Sequence, residues 1–164
     1  MCLWELFMEY SLIIRKAAKS DAPGILNILS DSFGQYIKKS FIPLRLEDML
    51  DDILSIERDI ETIDVFIALI DGAPVGTVRV EIREGAPAFL SKLGVVSGYN
   101  NIGIGKSLMN MVDKVVIEKG ASSLELYTAS KNAGIMRFYY GRGFYVDSTS
   151  KERGYIRALM RKDY

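Results

Sequence analysis

Residues 93–109, LGVVSGYNNIGIGKSLM, constrain the fold of this chain more than any other stretch. The apolar run that ends at Val95 and Val96 reads as a strand. After it, Ile104, Leu108, Met111, Val112 and Val115 recur at helical spacing until Gly120 stops them. Between the two, Gly98, Gly103 and Gly105 form a turn where main chain can approach another group closely. A strand that passes through a glycine-rich turn into a helix commits the chain to an α/β arrangement. It also aims the N–H groups of the turn and first helical turn, roughly Asn101 to Lys106, at one spot, where an anion is favoured.

The segment ends like a nucleotide-triphosphate loop, in Gly105-Lys106-Ser107. That pattern asks for its first glycine at position 100, where Asn100 stands, and Gly98 comes too early. The dinucleotide pattern fails as well, because its third glycine would fall on Leu108. Asp71, closing an apolar run, superficially resembles a magnesium-binding position, but Asp71-Gly72 between two strand-like runs is better read as a hairpin turn. A backbone anion grip survives, to which Lys106 and Ser107 could add.

Around this segment the elements run β-α-α-β-β-β-α-β-α-β-β. Residues 12–17 read as a strand. Asp21 can cap the next helix, with Pro23 in its first turn; that helix is expected to end near Phe33, and residues 34–43 to connect onward. Leu46, Met49, Leu50, Ile53, Leu54 and Ile60 predict a single amphipathic helix over residues 44–60. The strand after Asp71-Gly72 places Thr77, Arg79, Glu81 and Arg83 on one face, predicted polar, and Val78, Val80 and Ile82 on the other. Strands follow after Pro87 and over residues 123–129, then a short helix within 132–143, then a closing strand pair. This is an α/β (α+β) mixed sheet with helices on its faces, expected as one domain over residues 13–164 behind an arm at 1–12.

The chain has 164 residues, enough for one domain with a real core. Its 21 basic and 21 acidic residues cancel, so nothing points to nucleic acid. The single cysteine, Cys2, excludes an internal disulfide and a Cys-rich zinc site. The absence of histidine removes His triads, His bases and His-metal sites, so no metal is expected. Acid–base chemistry falls to Glu, Asp, Tyr, Lys or water. Residues 1–14 are apolar but too short to span a bilayer, carry Glu5 and Glu9, and lack the basic start of a signal peptide. A packed arm or a start at Met8, a cytoplasmic location and no membrane partner are expected.

LGVVSGYNNIGIGKSLM resembles the acetyl-CoA motif of the GCN5-related N-acetyltransferase (GNAT) superfamily, a valine-ended strand followed by Arg/Gln-x-x-Gly-x-Gly/Ala opening a helix. Here the valine is Val95 and the core is Asn100-Asn101-Ile102-Gly103-Ile104-Gly105. Asn100 departs from the usual Arg or Gln, but the main-chain donors do not depend on it. NAGIMRFYYGRGF resembles the family's Asn-x-x-Ala-x-x-Phe-Tyr-x-x-x-Gly-Phe, with Asn132, Phe138, Tyr139, Gly143 and Phe144 on the pattern and Ile135 replacing alanine. IIRKAAKSD resembles the opening strand and helix cap, so the likeness covers nearly all of the chain from Ile13 on.

The resemblance implies a central, mostly antiparallel sheet flanked by about four helices, split between the strand ending at Val95 and the strand over 123–129. It implies acetyl-CoA as cosubstrate. Main-chain groups of Leu93, Gly94 and Val95 would pair with the pantetheine arm as with an added strand. The turn from Asn100 to Gly105, with Lys106 and Ser107 beside it, would take the pyrophosphate. Asn132 would bond the cofactor arm, and Tyr139 would lie near the sulfur as general acid.

The reaction so implied is direct acetyl transfer to a primary amine of a small molecule or peptide. A non-catalytic acyl-CoA-binding regulatory module is the alternative. A main-chain N–H at Val95 or Val96 would serve the oxyanion. The Tyr139 phenol would protonate the leaving thiolate; Tyr140 is the fallback, though helical rotation turns it elsewhere. Glu81, acting through water, is the candidate base and Glu84 the second, with a plain ion pair to Arg79 or Arg83 as the other reading of Glu81. The first two helices and their connector carry Phe33, Tyr36 and Phe41 together with Glu47, Asp48, Asp51, Asp52, Glu57, Asp59 and Glu61. Those acids would suit a cationic acceptor such as a polyamine or lysine-rich peptide, or form only a solvated helix face. Exposed sheet edges and the apolar arm would permit a homodimer.

Overall fold

The computed structural model describes residues 11–164, so the expected arm, apart from its last two residues, lies outside the described residues together with Cys2, Trp4 and Met8. Seven strands, β1 (Leu12–Lys16), β2 (Asp64–Ile70), β3 (Ala73–Glu81), β4 (Ala88–Val95), β5 (Ser123–Ala129), β6 (Tyr145–Ser150) and β7 (Arg157–Asp163), form one sheet in the order β1-β2-β3-β4-β5-β7-β6. All neighbours are antiparallel except β4 and β5. Four helices flank it: α1 (Ala22–Ser40), α2 (Ile53–Thr62), α3 (Ile104–Glu118) and α4 (Ala133–Tyr140). This is the α/β architecture and element order expected from the sequence.

The strand periodicity sorts two cores. Val65 and Ile67 of β2 face Ile25, Ile28 and Leu29 of α1 and Ile56 of α2. Val78, Val80, Leu90, Leu124 and Leu126 face Leu108, Met109, Val112 and Val116 of α3 and Met136 and Tyr139 of α4. The β2–β3 hairpin turns on Asp71 and Gly72, both with positive φ (48° and 83°), as a two-residue turn matched to strand twist requires. Asp71 is exposed there, and its side chain accepts a hydrogen bond from the Ser11 N–H at 3.1 Å.

Three expectations need correction. Helix α1 does not stop near Phe33 but continues to Ser40 and ends on Phe41 in the left-handed conformation. Gly34 lowers helix propensity by only about 1 kcal/mol, which the contacts of Tyr36 and Ser40 described below offset. The single helix over residues 44–60 is a short 3-10 turn, Leu46–Asp48, followed by α2. Asp48 and Asp52 divide it, because each carboxylate accepts from a nearby main-chain N–H: Arg45 at 3.3 Å and Ser55 at 2.8 Å. The predicted polar face of β3 is largely buried under α1 and α2. The Thr77 hydroxyl donates to the Phe66 carbonyl at 2.9 Å, and Arg79 Nη1 donates to Asp51 at 2.8 Å and Asp59 at 2.6 Å. Among the described residues no helix is long and apolar enough to cross a membrane.

Candidate active site

The parallel ladder of β4 and β5 holds for only two pairs, Ala88 with Leu124 and Phe89 with Glu125. Beyond them the strands part into a fork. On the other edge of β4, Thr77 pairs with Gly94 and Arg79 with Ser91, so Val78 alone faces both Lys92 and Leu93. This is a β-bulge, and Lys92 carries its left-handed φ of 54°. Past the bulge the Val96 N–H donates to the Val75 carbonyl at 2.9 Å. Because main-chain groups alternate in direction along a strand, those of Val95 point away from β3 and into the fork. Of the two main-chain N–H groups expected to serve an oxyanion, that of Val96 is spent within the sheet and only that of Val95 faces the fork.

The chain leaves β4 through the turn at residues 96–103 and enters α3. Asn101 (φ 68°), Gly98 (φ 88°) and Gly103 (φ 89°) adopt left-handed conformations. Gly103 is the N-cap and offers no side chain to the first-turn N–H groups, so those of Ile104, Gly105 and Lys106 keep no intrahelical acceptor. They open on a cleft of about 460 Å³ that also gathers Leu93, Gly94, Val95, Asn100 and Asn101. A Cβ on Gly105 would meet only the Phe138 ring at 3.6 Å, ordinary contact, so protein packing does not demand glycine there. The bare backbone lies open to the cleft instead. Ile102 is exposed and Ser107 donates its N–H to the Gly103 carbonyl at 2.9 Å; neither lines the cleft.

Helix α1 ties the two arms of the fork together, which local sequence patterns did not reveal. Asp31 accepts from both the N–H (2.7 Å) and hydroxyl (2.9 Å) of Ser97, beyond β4. The Tyr36 hydroxyl accepts from the N–H of Ala129 at the end of β5 at 2.6 Å. The buried Ser40 hydroxyl accepts from Asn132 Nδ2 at 3.1 Å, while Asn132 Oδ1 caps α4 by accepting from the Ile135 N–H at 3.1 Å. Asn132 is thus a helix cap and an anchor of α1 in this structure.

Tyr139 projects from α4 into the core, 3% exposed, with Phe138 and Phe144 edge-on at 5.2 and 5.4 Å. Burial, with a smaller contribution from the nearby Tyr36, pushes its phenol well above the ordinary tyrosine value. The hydroxyl therefore keeps its proton throughout the neutral range. Tyr140 faces solvent. Glu81 is not brought to this site. It stands opposite Phe89, at the closed end of the fork, in an ion pair with Arg83 at 3.1 Å, and lines a separate cleft with Lys16, Asp64 and Lys119. Glu84 is exposed in the β3–β4 connection.

The acids expected to attract a cation are mostly committed. Asp51 and Asp59 hold Arg79, Asp48 and Glu47 hold Arg45, Glu61 holds Lys19, and Asp52 caps α2. Phe33 packs on Tyr36 at 6.4 Å, and Phe41 is exposed at the end of α1.

A profile of the acetyltransferase (GNAT) family matches residues 23–144. YyaT of Bacillus subtilis, an uncharacterized protein, is 31% identical over 94 residues, 57% of this chain and 61% of its own. The chain therefore spans about three fifths of the length of the curated relatives it matches. Among solved structures, the PaiA N-acetyltransferase of Thermoplasma acidophilum in complex with coenzyme A superposes with a TM-score of 0.85 at 23% identity, covering 94% of this chain and 99% of that one. YncA of Salmonella typhimurium, solved with its cofactor acetyl-CoA, gives a TM-score of 0.73 at 16% identity over 93% and 94% of the two chains. At these identities the two structures share the fold.

Proposed function

Because the chain belongs to the acetyltransferase (GNAT) family, we propose that it transfers an acetyl group from acetyl-CoA directly to a primary amine of a small molecule or peptide. The observation that carries this reading is the pairing of two features on one cleft. One is the bulged β4 edge that turns Val95 into the fork; the other is the uncapped first turn of α3 behind Gly103.

The residues present fit acetyl-CoA. The fork-side main-chain groups of the stretch Leu93–Gly94–Val95, those of Val95 above all, offer an unpaired strand edge to an extended amide-bearing arm. The N–H groups of residues 101–106, at the positive end of α3, suit a pyrophosphate, with Lys106 alongside. Acetyl-CoA supplies the thioester that is cleaved. The Val95 N–H is positioned for negative charge gathering on an acyl oxygen. Tyr139, fully protonated at neutral pH, would give its proton to the leaving thiolate. Asn132 gives one Nδ2 hydrogen to Ser40 and caps α4 through Oδ1, and its second Nδ2 hydrogen would serve the cofactor arm.

Thermal unfolding with acetyl-CoA, CoA and Mg-ATP in parallel tests the binding half. A ligand at one hundred times its dissociation constant stabilises by about 2.7 kcal/mol, and acetyl-CoA and CoA are expected to do so. Stabilisation by ATP alone would return Lys106 and Ser107 to a nucleotide site. Product formation from an amine panel tests the chemical half, since acetyl-CoA binding without turnover would leave the regulatory module. Tyr139→Phe is expected to keep the fold and CoA binding while turnover drops by about 100-fold or more; unchanged turnover would remove Tyr139 as the acid.

A further inference from the structure

Phe89 and Tyr127 face each other at the base of the fork, ring centroids 6.0 Å apart. Just beyond them, Lys92 stands on the β4 arm, and Arg157, paired with Ala129, stands beside the β5 arm. The Lys92 ammonium lies 5.2 Å from the Phe33 ring centroid and donates to the Met49 carbonyl at 2.8 Å. The nearest carboxylate oxygen, on Asp51 at 3.8 Å, already accepts a 2.8 Å hydrogen bond from Arg79. Arg157 lays its guanidinium over Tyr127 at 4.2 Å. Among the described residues its buried Nε has no partner and no carboxylate is ion-paired to it. Beneath them Arg79 is buried, and among the described residues its Nε and Nη2 have no partner. Burial, and then the positive charges of Arg79 and Arg153 against Asp51 and Asp59, hold the Lys92 ammonium below its ordinary range. The α1-facing side of the fork is therefore walled by cations, while the carboxylates beside them, Asp51 and Asp59, are both held by Arg79.

We propose that the acceptor is an amine that also carries an oxyanion, a carboxylate or phosphate, and that Lys92 and Arg157 hold that group at the mouth of the fork. This rests on the transferase reading above and names its acceptor class. A second cationic centre, as in a polyamine, would meet like charge at these walls. An oxyanion meets an ammonium on one side and a planar guanidinium fork on the other. The same charges act on the reacting nitrogen. Positive surroundings favour the neutral amine over the ammonium, and the neutral amine is the nucleophile. The site thereby lowers the demand for a carboxylate base, which agrees with Glu81 standing at the far end of β3.

Calorimetric titration of amines into full-length protein saturated with CoA reads acceptor affinity without turnover. The probes are an α-amino acid against its carboxamide, phosphoethanolamine against ethanolamine, and spermidine. The oxyanion member of at least one pair is expected to bind tenfold or more tighter than its neutral mate, and the pair that responds identifies the anion. Lys92→Gln and Arg157→Gln are expected to erase that preference while CoA still raises the unfolding temperature as in the wild type. Equal affinities within both pairs, tighter binding of spermidine, or no binding of any amine would overturn the proposal on wild-type protein alone. A preference that survives both variants would overturn the assignment to these side chains. Selective binding of the oxyanion amine without acetyl transfer from acetyl-CoA would uphold the site and remove the transferase reading instead.

Discussion

Replacing Gly103 by alanine separates the backbone cost of the turn from its proposed role in binding CoA. Gly103 caps α3 at φ 89°, ψ 8°, and a Cβ there would meet nothing within 4 Å. The penalty is therefore that of a left-handed L-residue alone, about 1–2 kcal/mol. At about 2–4 °C per kcal/mol for a chain of this size, the unfolding temperature falls by about 2–8 °C. Gly120, at the other end of the same helix with φ 74° and equally open space, is the matched control and should lose as much on substitution. CoA affinity should part the two variants. If the alanine that replaces Gly103 relaxes toward negative φ, the first-turn N–H groups lose their common aim. Losing one charge-assisted hydrogen bond, worth about 1.5–3 kcal/mol, weakens binding by about tenfold or more. Scanning fluorimetry with and without CoA reads both quantities. Equal weakening of CoA by Gly103→Ala and Gly120→Ala would refute the turn as the grip. Unchanged stability in both would refute the strain argument itself.

Gly76→Val should act on the turn before α3 through packing: a Cβ at Gly76 would lie 2.9 Å from Ile104 Cγ2 and 3.1 Å from Leu108 Cδ1. The overpacking costs about 1–3 kcal/mol and displaces the start of α3, so the variant should both melt lower and show a smaller CoA-induced shift. Tyr36→Phe leaves the Ala129 N–H without its acceptor and should lower stability in urea titrations by about 1–3 kcal/mol; no loss would mean that water replaces the phenol without cost. Asp64 is buried, which raises its pKa, but the ammonium groups of Lys119 and Lys16, at 2.7 and 2.9 Å, outweigh burial and hold the carboxyl below its ordinary range. A lowered folded-state pKa gives stability that is present above the unfolded value and is lost as pH falls through the folded one. Asp64→Asn should thus be the less stable protein at pH 7, with the gap to wild type closing from about pH 4 downward; a pH-independent gap would contradict the ion-pair account.

The parts of this fold that the sequence disclosed are those with local causes. The Asp71-Gly72 hairpin and the Gly103 turn each depend on positive φ, which only a few residue types supply, so composition betrays them. The break before α2 has a local cause too, since Asp52 accepts from the Ser55 N–H, but the apolar spacing from Leu46 to Ile60 runs straight across it and hides it. Other features had no local signal. Period-two alternation puts Glu81 on the face of Arg79, but its place relative to the fork depends on the register of β3 against β4. The roles of Tyr36, Ser40 and Lys92 arise from partners far along the chain, at Ala129, Asn132 and Met49. Asp51 and Asp59 read as part of an acidic surface because their cation, the buried Arg79, comes from another element.

Three hydrogen-bonding side chains of α1 make that helix a ruler. Asp31 reaches one arm of the fork, and Tyr36 and Ser40 reach the end of the other and the helix that follows it. Asp31 and Ser40 are nine positions apart, about 13–14 Å of helix at a rise of about 1.5 Å per residue. The opening of the fork is thereby set by helix length, a quantity that side-chain substitutions scarcely alter and a single inserted residue alters at once. Such an insertion adds the rise of one residue and rotates every later side chain by about 100°, so Tyr36 and Ser40 would leave their partners together. In this chain, tolerance to change of sequence and tolerance to change of length part company within one helix.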